Sequence, residues 1–276
     1  MTGPASTMPI VEFVGLPGSG KTTIARALHR RLVRAVPTAI WGPDLIADDA
    51  TWMRRVFGKA ATFLRSGVQD VTLPLAAARV PQPSMRDRLR SASTVASVVG
   101  QYAAVRRAEA PAILDQGAMQ AAWTVGLRGC VPHADRIAAR LLGMAAAPDV
   151  RVIHVASPTE TCYRRLVDRP SRHSRLQSAS GNDAAQWTRA ERLLNSLLRE
   201  YEKHYPDSSA IKCDGEADTE VVVDLILSSL SIPGARVQNA HDRSSGNRTG
   251  TSVGRNSKSG PIVGGDTVET VWGGGN

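Results

Sequence analysis

The sequence predicts an α/β protein with a parallel five-stranded sheet and helices on both faces. Short apolar runs bounded by Gly, Pro or acidic residues recur along the chain, and each is followed by a segment with apolar residues at helical spacing. This alternation of strands and helices is typical of a parallel sheet. With 276 residues, 42% of them apolar, the chain is long enough to bury a normal core.

Five apolar runs predict the strands of this sheet. The first is Ile10 to Gly15, which Gly and Pro bring to an end, and the clearest is "DVRVIHVAS" at 149–157. The remaining three are "TAIWGPD" at 38–44, "AILDQG" at 112–117 and "SSAIKCDG" at 208–215.

The first predicted helix runs from Lys21 to Val36, where one face is apolar and Pro37 stops the helix. Residues 50–110 are longer than a simple crossover and indicate a helical insertion, with a Pro-broken loop around 73–83. Further helices are predicted at 119–127, 134–144, 159–169, 184–205 and 218–230.

The composition divides the chain into one domain at 1–232 and a tail at 233–276. Within the domain, a polar and basic stretch predicts a loop or flap that, with the end of the preceding helix, forms a lid at about 164–183. The tail is rich in Gly, Ser, Asn and Arg, and it cannot bury enough apolar surface to offset its ordering entropy. We therefore expect the tail to be disordered.

Charge and cysteine usage narrow the class of protein. The net charge of +9 favours polyanionic partners, although a GC-rich genome that encodes Arg in place of Lys explains it equally well. Cys130, Cys162 and Cys213 are far apart and show no spacing typical of zinc or disulfides, so a reducing cytoplasm is expected. The chain shows neither a secretion signal nor an apolar stretch of about 20 residues, which argues against secretion and membrane insertion.

A phosphate-binding loop follows the first strand. Gly15, Gly20, Lys21 and Thr22 satisfy the pattern GxxxxGK[ST] between a strand and a helix, which makes this motif specific. The glycines allow consecutive N–H groups to point at phosphate oxygens, and the start of the helix adds its positive end. The predicted nucleotide-binding residues are Gly15, Pro17, Gly18, Ser19, Gly20, Lys21, Thr22 and Thr23.

Two side chains of this region predict a Mg²⁺ site beside a bound ATP. Lys21 supplies a charge for the β- and γ-phosphates, and the Thr22 hydroxyl is placed to bind the metal. Asp115 ends the third predicted strand, whose carboxyl end should lie near the loop, so this acid is a second candidate for the metal. An Asp shortly before Gly117 also serves simply to shape a turn.

Several motifs together resemble the P-loop kinases of nucleosides and nucleotides, especially the thymidylate kinase and deoxyribonucleoside kinase group. They are "GLPGSGKTT", "LDQG", "VIHVASPTETCYRRLVDRPSRHSR" and "IKCDGEADTEVVVDLI", and the resemblance covers roughly residues 9 to 231 in order. It implies a kinase of the P-loop NTPase class that uses ATP and Mg²⁺.

The resemblance also implies roles for residues outside the loop. Arginines of the lid segment would close on the phosphates, which agrees with the need for cations around a transferring phosphoryl group. The turn after the last strand would hold the adenine edge. The residues concerned are Arg164, Arg165, Arg169, Arg172 and Arg175 in the lid segment, and Asp214, Gly215 and Glu216 in the turn.

Asp44 is the candidate base that activates the acceptor hydroxyl. It follows the second strand, where adenylylsulfate kinases and chloramphenicol phosphotransferase also place an Asp. The alternative is that Asp44 caps the next helix. Thymidylate kinases carry Asp-Arg at the third strand, whereas this chain has Asp115 and Gln116. This departure argues against recognition of a nucleoside monophosphate.

We expect the helical insertion to form the acceptor pocket, because ligands of open sheets lie beyond the carboxyl ends of the strands. Arg86, Arg88 and Arg90 would meet an anionic acceptor. Nearby aromatic residues would stack on a ring, but aromatic side chains are more often plain core. They are Trp41, Trp52, Phe57 and Trp123.

These observations predict an ATP-dependent phosphotransferase that moves the γ-phosphate to a small-molecule acceptor, in the first place a nucleoside or nucleotide. Alternatives are a kinase of another small alcohol, such as an antibiotic or sugar, a kinase of nucleic-acid ends, and a nucleotide-dependent switch ATPase. No stretch alternates basic and aromatic residues, which argues against a nucleic-acid partner. The oligomeric state stays open, with a homodimer as one option.

Overall fold

The structure is a computed structural model, and it describes residues 9–45, 72–128, 131–169 and 184–230. All of these residues belong to one compact unit, Met1–Val237. The predicted tail at 233–276 lies outside the described residues. So do residues 50–71 of the predicted insertion, with Trp52 and Phe57, and the lid residues 170–183, with Arg172 and Arg175.

The described residues form one five-stranded sheet with the strand order β2-β3-β1-β4-β5, and every neighbouring pair is parallel. All five predicted strands are present, so the predicted fold class is confirmed. The strands are β1 Ile10–Val14, β2 Ile40–Trp41, β3 Ala112–Leu114, β4 Val150–Ala156 and β5 Ile211–Asp214.

β1 lies at the centre of the sheet and is buried along its whole length. Ile10 lies opposite both Ala112 of β3 and Val150 of β4, and Val14 lies opposite His154. Because these strands run in one direction, the segments that follow them emerge at the same edge of the sheet. This carboxyl edge is where ligands bind in open α/β sheets.

Helices cover both faces of the sheet, as predicted. The helices of the described residues are α1 Lys21–Ala35, α2 Thr72–Arg79, α3 Met85–Ala108, α4 Ala118–Arg128, α5 Val131–Ala145, α6 Thr159–Val167, α7 Ala184–His204 and α8 Thr219–Ser229. α1 and α8 pack together on one face, where Leu28 and Ile226 are fully buried against Phe13 of β1. Residues of the other helices form the second and larger core with Ile10 and Val14.

α3 is the longest of the described helices and extends past the carboxyl edge. Ser84 caps its N-terminus by accepting a hydrogen bond from the Asp87 N–H at 3.1 Å. Gln101 contacts the end of β2, and β3 begins shortly after the helix ends, so α3 runs antiparallel to the strands. The part of α3 from Met85 to Gln101, on the N-terminal side of this contact, is about 24 Å long at 1.5 Å per residue.

Two local predictions need correction. The segment around 73–83 was expected to be a loop because it contains three prolines, but its first half belongs to α2. Pro74 lies in the first turn of that helix, where its missing N–H removes no helical hydrogen bond. β2 is shorter than expected, because the chain turns into a 3₁₀ helix at Gly42–Leu45 that contains Asp44.

The described residues also give two findings on cysteines and on membrane-spanning helices. Cys162 and Cys213 are both buried and form no disulfide. Among the helices that the structure describes, there is none with the length and apolar character to cross a membrane.

Truncation of a fully buried side chain tests the packing of α1 on the sheet. Leu28→Ala should lower the free energy of unfolding by about 2–5 kcal/mol, because it leaves a cavity between α1 and the sheet. Denaturant titration measures this loss. Leu225→Ala is the control on α8, since Leu225 is 50% exposed, and it should cost less than about 0.5 kcal/mol. Equal losses in the two variants would contradict the described core.

Candidate nucleotide-binding site

The loop between β1 and α1 adopts a shape that only glycine permits at two positions. Gly18 has a φ of +89° and Gly20 a φ of +95°, both in the left-handed region. A Cβ on Gly18 would also collide with the backbone carbonyl of Cys162 in α6. The loop therefore packs with its bare backbone against the segment that follows β4.

Neighbouring segments hold the loop by polar contacts to its backbone. The Ser157 hydroxyl donates to the Ser19 carbonyl at 3.2 Å, and the Gly15 N–H donates to Gln120 Oε1 of α4 at 3.3 Å. Gly215, after β5, touches the same Ser19 carbonyl so closely that a side chain there would not fit. Loops after β1, β4 and β5 thus form one packed unit at the carboxyl edge.

The Lys21 side chain folds back over this loop. Its Nζ donates to the carbonyls of Gly15 and Leu16, both at 2.8 Å. Burial lowers the pKa of Lys21 to about 8, the Asp115 charge opposes this shift and the Arg169 charge adds to it. The Lys21 ammonium group is thus poorly solvated, and its positive charge in the loop would attract a phosphate anion strongly.

Thr22 and Asp115 come together although they are far apart in sequence. The Thr22 hydroxyl donates to Asp115 Oδ2 at 3.4 Å, and both side chains are half-buried. Burial raises the pKa of Asp115, while the Thr22 hydrogen bond and the Lys21 charge oppose that change. A hydroxyl and a carboxylate are oxygen ligands that suit Mg²⁺, which keeps several waters and takes one or two protein ligands beside the phosphates. This donor set fits the metal that the sequence predicts.

The described arginines of α6 and its C-terminal end approach the loop to different degrees. Arg165 Nη1 donates to the Gly215 carbonyl at 3.1 Å and lies 3.9 Å from where a Cβ of Gly20 would be. Arg169 is near enough to Lys21 to lower its pKa. Arg164 is exposed. Two cations from this helix region therefore lie beside the loop.

The turn after β5 closes the side of the site near Arg165. Asp214 Oδ1 accepts a hydrogen bond from the Glu216 N–H at 2.8 Å, which shapes the turn around Gly215. The Gly215 N–H donates to the Ala156 carbonyl at 2.7 Å. The turn therefore lies against the phosphate loop, and the Asp214 side chain stabilises the turn through this hydrogen bond.

Asp44 lies at the same edge, beyond the outermost strand β2. Its side chain is exposed in the 3₁₀ helix Gly42–Leu45. The Gln101 amide of α3 donates to the Gly42 carbonyl at 3.1 Å and so holds the start of this short helix. β3, which leads to Asp115, separates β2 from β1.

Aromatic residues expected near the acceptor divide into two kinds. Trp123 is buried, and its Nε1 donates to the Ala190 carbonyl at 2.8 Å, so it belongs to the core. Trp41 is half-buried with its ring centroid 5.5 Å from that of His29. Trp123 therefore matches the plain-core interpretation.

Two residues of the site were missed by the sequence reasoning, namely Gln120, which binds the Gly15 N–H, and Glu12 in β1. Glu12 is fully buried and accepts hydrogen bonds from the N–H groups of Ala118 and Met119 at 2.7 and 3.1 Å. A charged residue inside an apolar central strand is costly without partners, and that was the available signal. No pattern in the sequence marks Gln120.

The strand order and the glycine-rich loop between β1 and α1 define a P-loop NTPase fold. A family model described as an AAA domain matches residues 10–197, more than half of the chain. The chain therefore belongs to the AAA domain family.

Other comparisons are more distant. A search of the curated proteins finds no match. Among solved structures, the chain is similar to the crystal structure of a NadR protein in complex with NR, with 14% sequence identity and a TM-score of 0.46. That likeness covers 84% of this chain and 54% of the other, so the chain spans about half the length of that protein. A likeness of this degree transfers neither substrate nor activity.

A methyl group on the loop should destroy nucleotide binding. Gly18→Ala forces a left-handed residue with a Cβ against the Cys162 carbonyl, so the loop must change shape. We expect the affinity for Mg·ATP to fall at least about 100-fold, since a displaced loop loses several phosphate contacts. Gly143→Ala within α5 is the control and should bind as the wild type does. Titration with a fluorescent ATP analogue measures both, and tight binding by Gly18→Ala would contradict the described loop.

The lowered pKa of Lys21 predicts a pH dependence of nucleotide affinity. Bound phosphates stabilise the protonated amine, so its pKa is higher in the complex than in the empty protein, where it is about 8. Binding therefore takes up a proton above this pH, and the affinity should fall by about tenfold per pH unit as the empty site loses its charge. Calorimetry in buffers of different ionisation enthalpy detects the proton.

The matched control for this pH profile is Lys203→Gln, which removes an exposed lysine of α7 and should leave the profile unchanged. Lys21→Met should bind weakly and without the alkaline decline. A wild-type affinity that stays constant from pH 7.5 to about 9.5 would contradict the lowered pKa.

Proposed function

We propose that the protein is an ATP-dependent phosphotransferase that moves the γ-phosphate to a small-molecule acceptor. The observation that carries this proposal is the meeting of Thr22 and Asp115, at 3.4 Å, beside the Lys21 ammonium at the mouth of the phosphate loop. A hydroxyl, a carboxylate and a cation in this arrangement are what P-loop enzymes need to hold Mg²⁺ and a triphosphate.

Each group of the phosphate loop has one task in this proposal. The loop N–H groups and the N-terminus of α1 bind the phosphates, and Lys21 moves from the loop carbonyls to the β- and γ-phosphates. Thr22 and Asp115 hold Mg²⁺. When bound, this ion neutralises charge that develops on the phosphate oxygens.

Arg165 and Arg169 supply the positive charge around the group that is transferred. Phosphoryl transfer depends on positioning and on cations around the equatorial oxygens, and these two side chains lie beside Gly20 and Lys21. Arg165 also links α6 to the turn at Gly215, which packs on the phosphate loop, so a movement of α6 would displace that loop. We assign the turn at Asp214 and Gly215 to the adenine edge.

The acceptor side of the site lies between Asp44 and the projecting half of α3. Asp44 is exposed at the carboxyl edge, with no neighbour that neutralises it in the described part of the chain, and it can accept the proton of an attacking hydroxyl. Arg88 and Arg90, both half-buried, stand on the part of α3 beyond the sheet. We propose a nucleoside or nucleotide as the acceptor and, because the described cysteines are free, a cytoplasmic location.

Loss of the Asp44 carboxylate should separate transfer from binding. Asp44→Asn should lower the rate of acceptor-dependent ADP release by about 10²–10⁴-fold, because the amide cannot take the proton. Its affinity for Mg·ATP should be unchanged, since Asp44 lies beyond β2 and away from the phosphate loop. A coupled ADP assay over pools of nucleosides, nucleotides and other alcohols measures transfer.

The control is Asp207→Asn, an exposed acid of the 3₁₀ helix before β5 and thus at the opposite edge. It should transfer at the wild-type rate. Retained transfer in Asp44→Asn would remove Asp44 as the base. If the wild type releases ADP at the same rate with every acceptor and without any, the protein is a switch ATPase. If oligonucleotide ends stimulate its ADP release, it is a nucleic-acid kinase.

A further inference from the structure

Glu12 places an ionisable group at the centre of the fold, where nothing in the proposed chemistry uses it directly. It occupies the middle of β1, is completely buried and lies on the same face as Ile10 and Val14. An acid in such a place costs several kcal/mol unless it is paired or hydrogen-bonded. An acid at this position therefore has contacts to make that a valine would not.

Three donors converge on the Glu12 carboxylate. Its Oε2 accepts from the Tyr102 hydroxyl of α3 in a short hydrogen bond and from the Ala118 N–H at 2.7 Å, and its Oε1 accepts from the Met119 N–H at 3.1 Å. Ala118 and Met119 are the first two residues of α4. Burial raises the pKa of Glu12, and these three hydrogen bonds oppose the increase.

These contacts tie the segment that carries Asp115 to the strand that carries the phosphate loop. Asp115 directly follows β3, and α4 begins three residues later, so the N-terminus of α4 fixes the far end of this short connection. Gly117 within it packs directly on the Glu12 carboxylate, where a Cβ would collide with Oε2. The same helix holds the Gly15 N–H through Gln120. The start of α4 thus contacts both the strand that leads to the phosphate loop and the loop itself.

We propose that Glu12 is a positioning residue that sets the place of the Asp115 carboxylate relative to Thr22 by holding the N-terminus of α4. This proposal rests on the assignment of Thr22 and Asp115 to Mg²⁺. Mutation of residues that position metal ligands typically lowers metal affinity or activity by about 10- to 100-fold. Tyr102 completes the arrangement by fixing Glu12 from the side of α3.

Glu12→Gln is the informative substitution because it keeps the shape of the side chain. An amide has one acceptor oxygen where the carboxylate has two, so in the present geometry either the Ala118 or the Met119 N–H would face the amide NH₂, which is a donor. The start of α4 must shift, and Asp115 shifts with it. Glu12 forms no hydrogen bond with the phosphate loop glycines or Lys21 in the described part of the chain, and α4 contacts the loop only at the Gly15 N–H through Gln120 among the described hydrogen bonds. The affinity for metal-free nucleotide should therefore change less than the contribution of the metal.

The experiment measures the affinity for a fluorescent ATP analogue in EDTA and in Mg²⁺, and it takes the ratio of the two as the metal effect. In Glu12→Gln the metal effect should fall by about tenfold, and the affinity in EDTA should change by a smaller factor. Glu220→Gln, the same substitution at an exposed ion pair with Arg31, should keep the wild-type metal effect. A wild-type metal effect in Glu12→Gln overturns the proposal.

A double-mutant cycle separates positioning from general loss of structure. If Glu12 acts through Asp115, then Glu12→Gln should change the metal effect by less than about twofold in the Asp115→Asn background. An equal factor in both backgrounds would mean that Glu12 acts independently, which overturns the proposal. If Glu12→Gln does not fold, Tyr102→Phe decides the question, and it must lower the metal effect by at least about twofold.

This measurement needs no acceptor, so it is independent of the transfer reaction. A protein that shows the metal effect but transfers no phosphate would contradict the proposed function. The double-mutant cycle would then still decide the role of Glu12. A wild type whose nucleotide affinity ignores Mg²⁺ would overturn the role of Glu12, because there would be no metal site for it to organise.

Discussion

The parallel pairing of β1 with β3 and β4 is the constraint on which the candidate site depends. It brings the phosphate loop, Asp115 and the start of α6 to one edge of the sheet, although Asp115 and α6 follow the loop by about a hundred residues or more in the sequence. Glycines at close contacts let the loop approach the neighbouring segments. It packs by bare backbone, with Gly18 on the Cys162 carbonyl and Gly215 on the Ser19 carbonyl.

Two buried ionisable residues near that loop have opposite consequences. Burial lowers the pKa of Lys21 to about 8, so its charge is compensated only in part, and Lys21 gains most when a phosphate anion binds. Glu12 already has three donors and gains nothing from a ligand. A poorly compensated cation suits binding, whereas a fully hydrogen-bonded acid suits the fixed placement of surrounding elements.

The fold and the phosphate loop were largely predictable from the sequence, and the rest of the site was predictable only in part. Strands such as 149–157 carry dense apolar runs, and the loop pattern encodes its own geometry through glycine. α2 was missed because Pro74 signals a break except in the first turn of a helix. Gln120 was missed because its partner is a backbone group of a distant segment, which leaves no trace in local sequence. Glu12 was missed although an acid in an apolar strand was an available signal, because its partners lie in segments distant in sequence.

The sequence alone therefore determined the class of fold, the phosphate loop and the candidate acids at the strand ends, because these follow from local periodicity and from residues with special backbone freedom. Only the tertiary structure decided that Thr22 and Asp115 meet, that Arg165 reaches the turn at Gly215 and that Glu12 lies beneath α4. These contacts depend on strand order and on the packing of helices across the sheet, which local patterns do not specify.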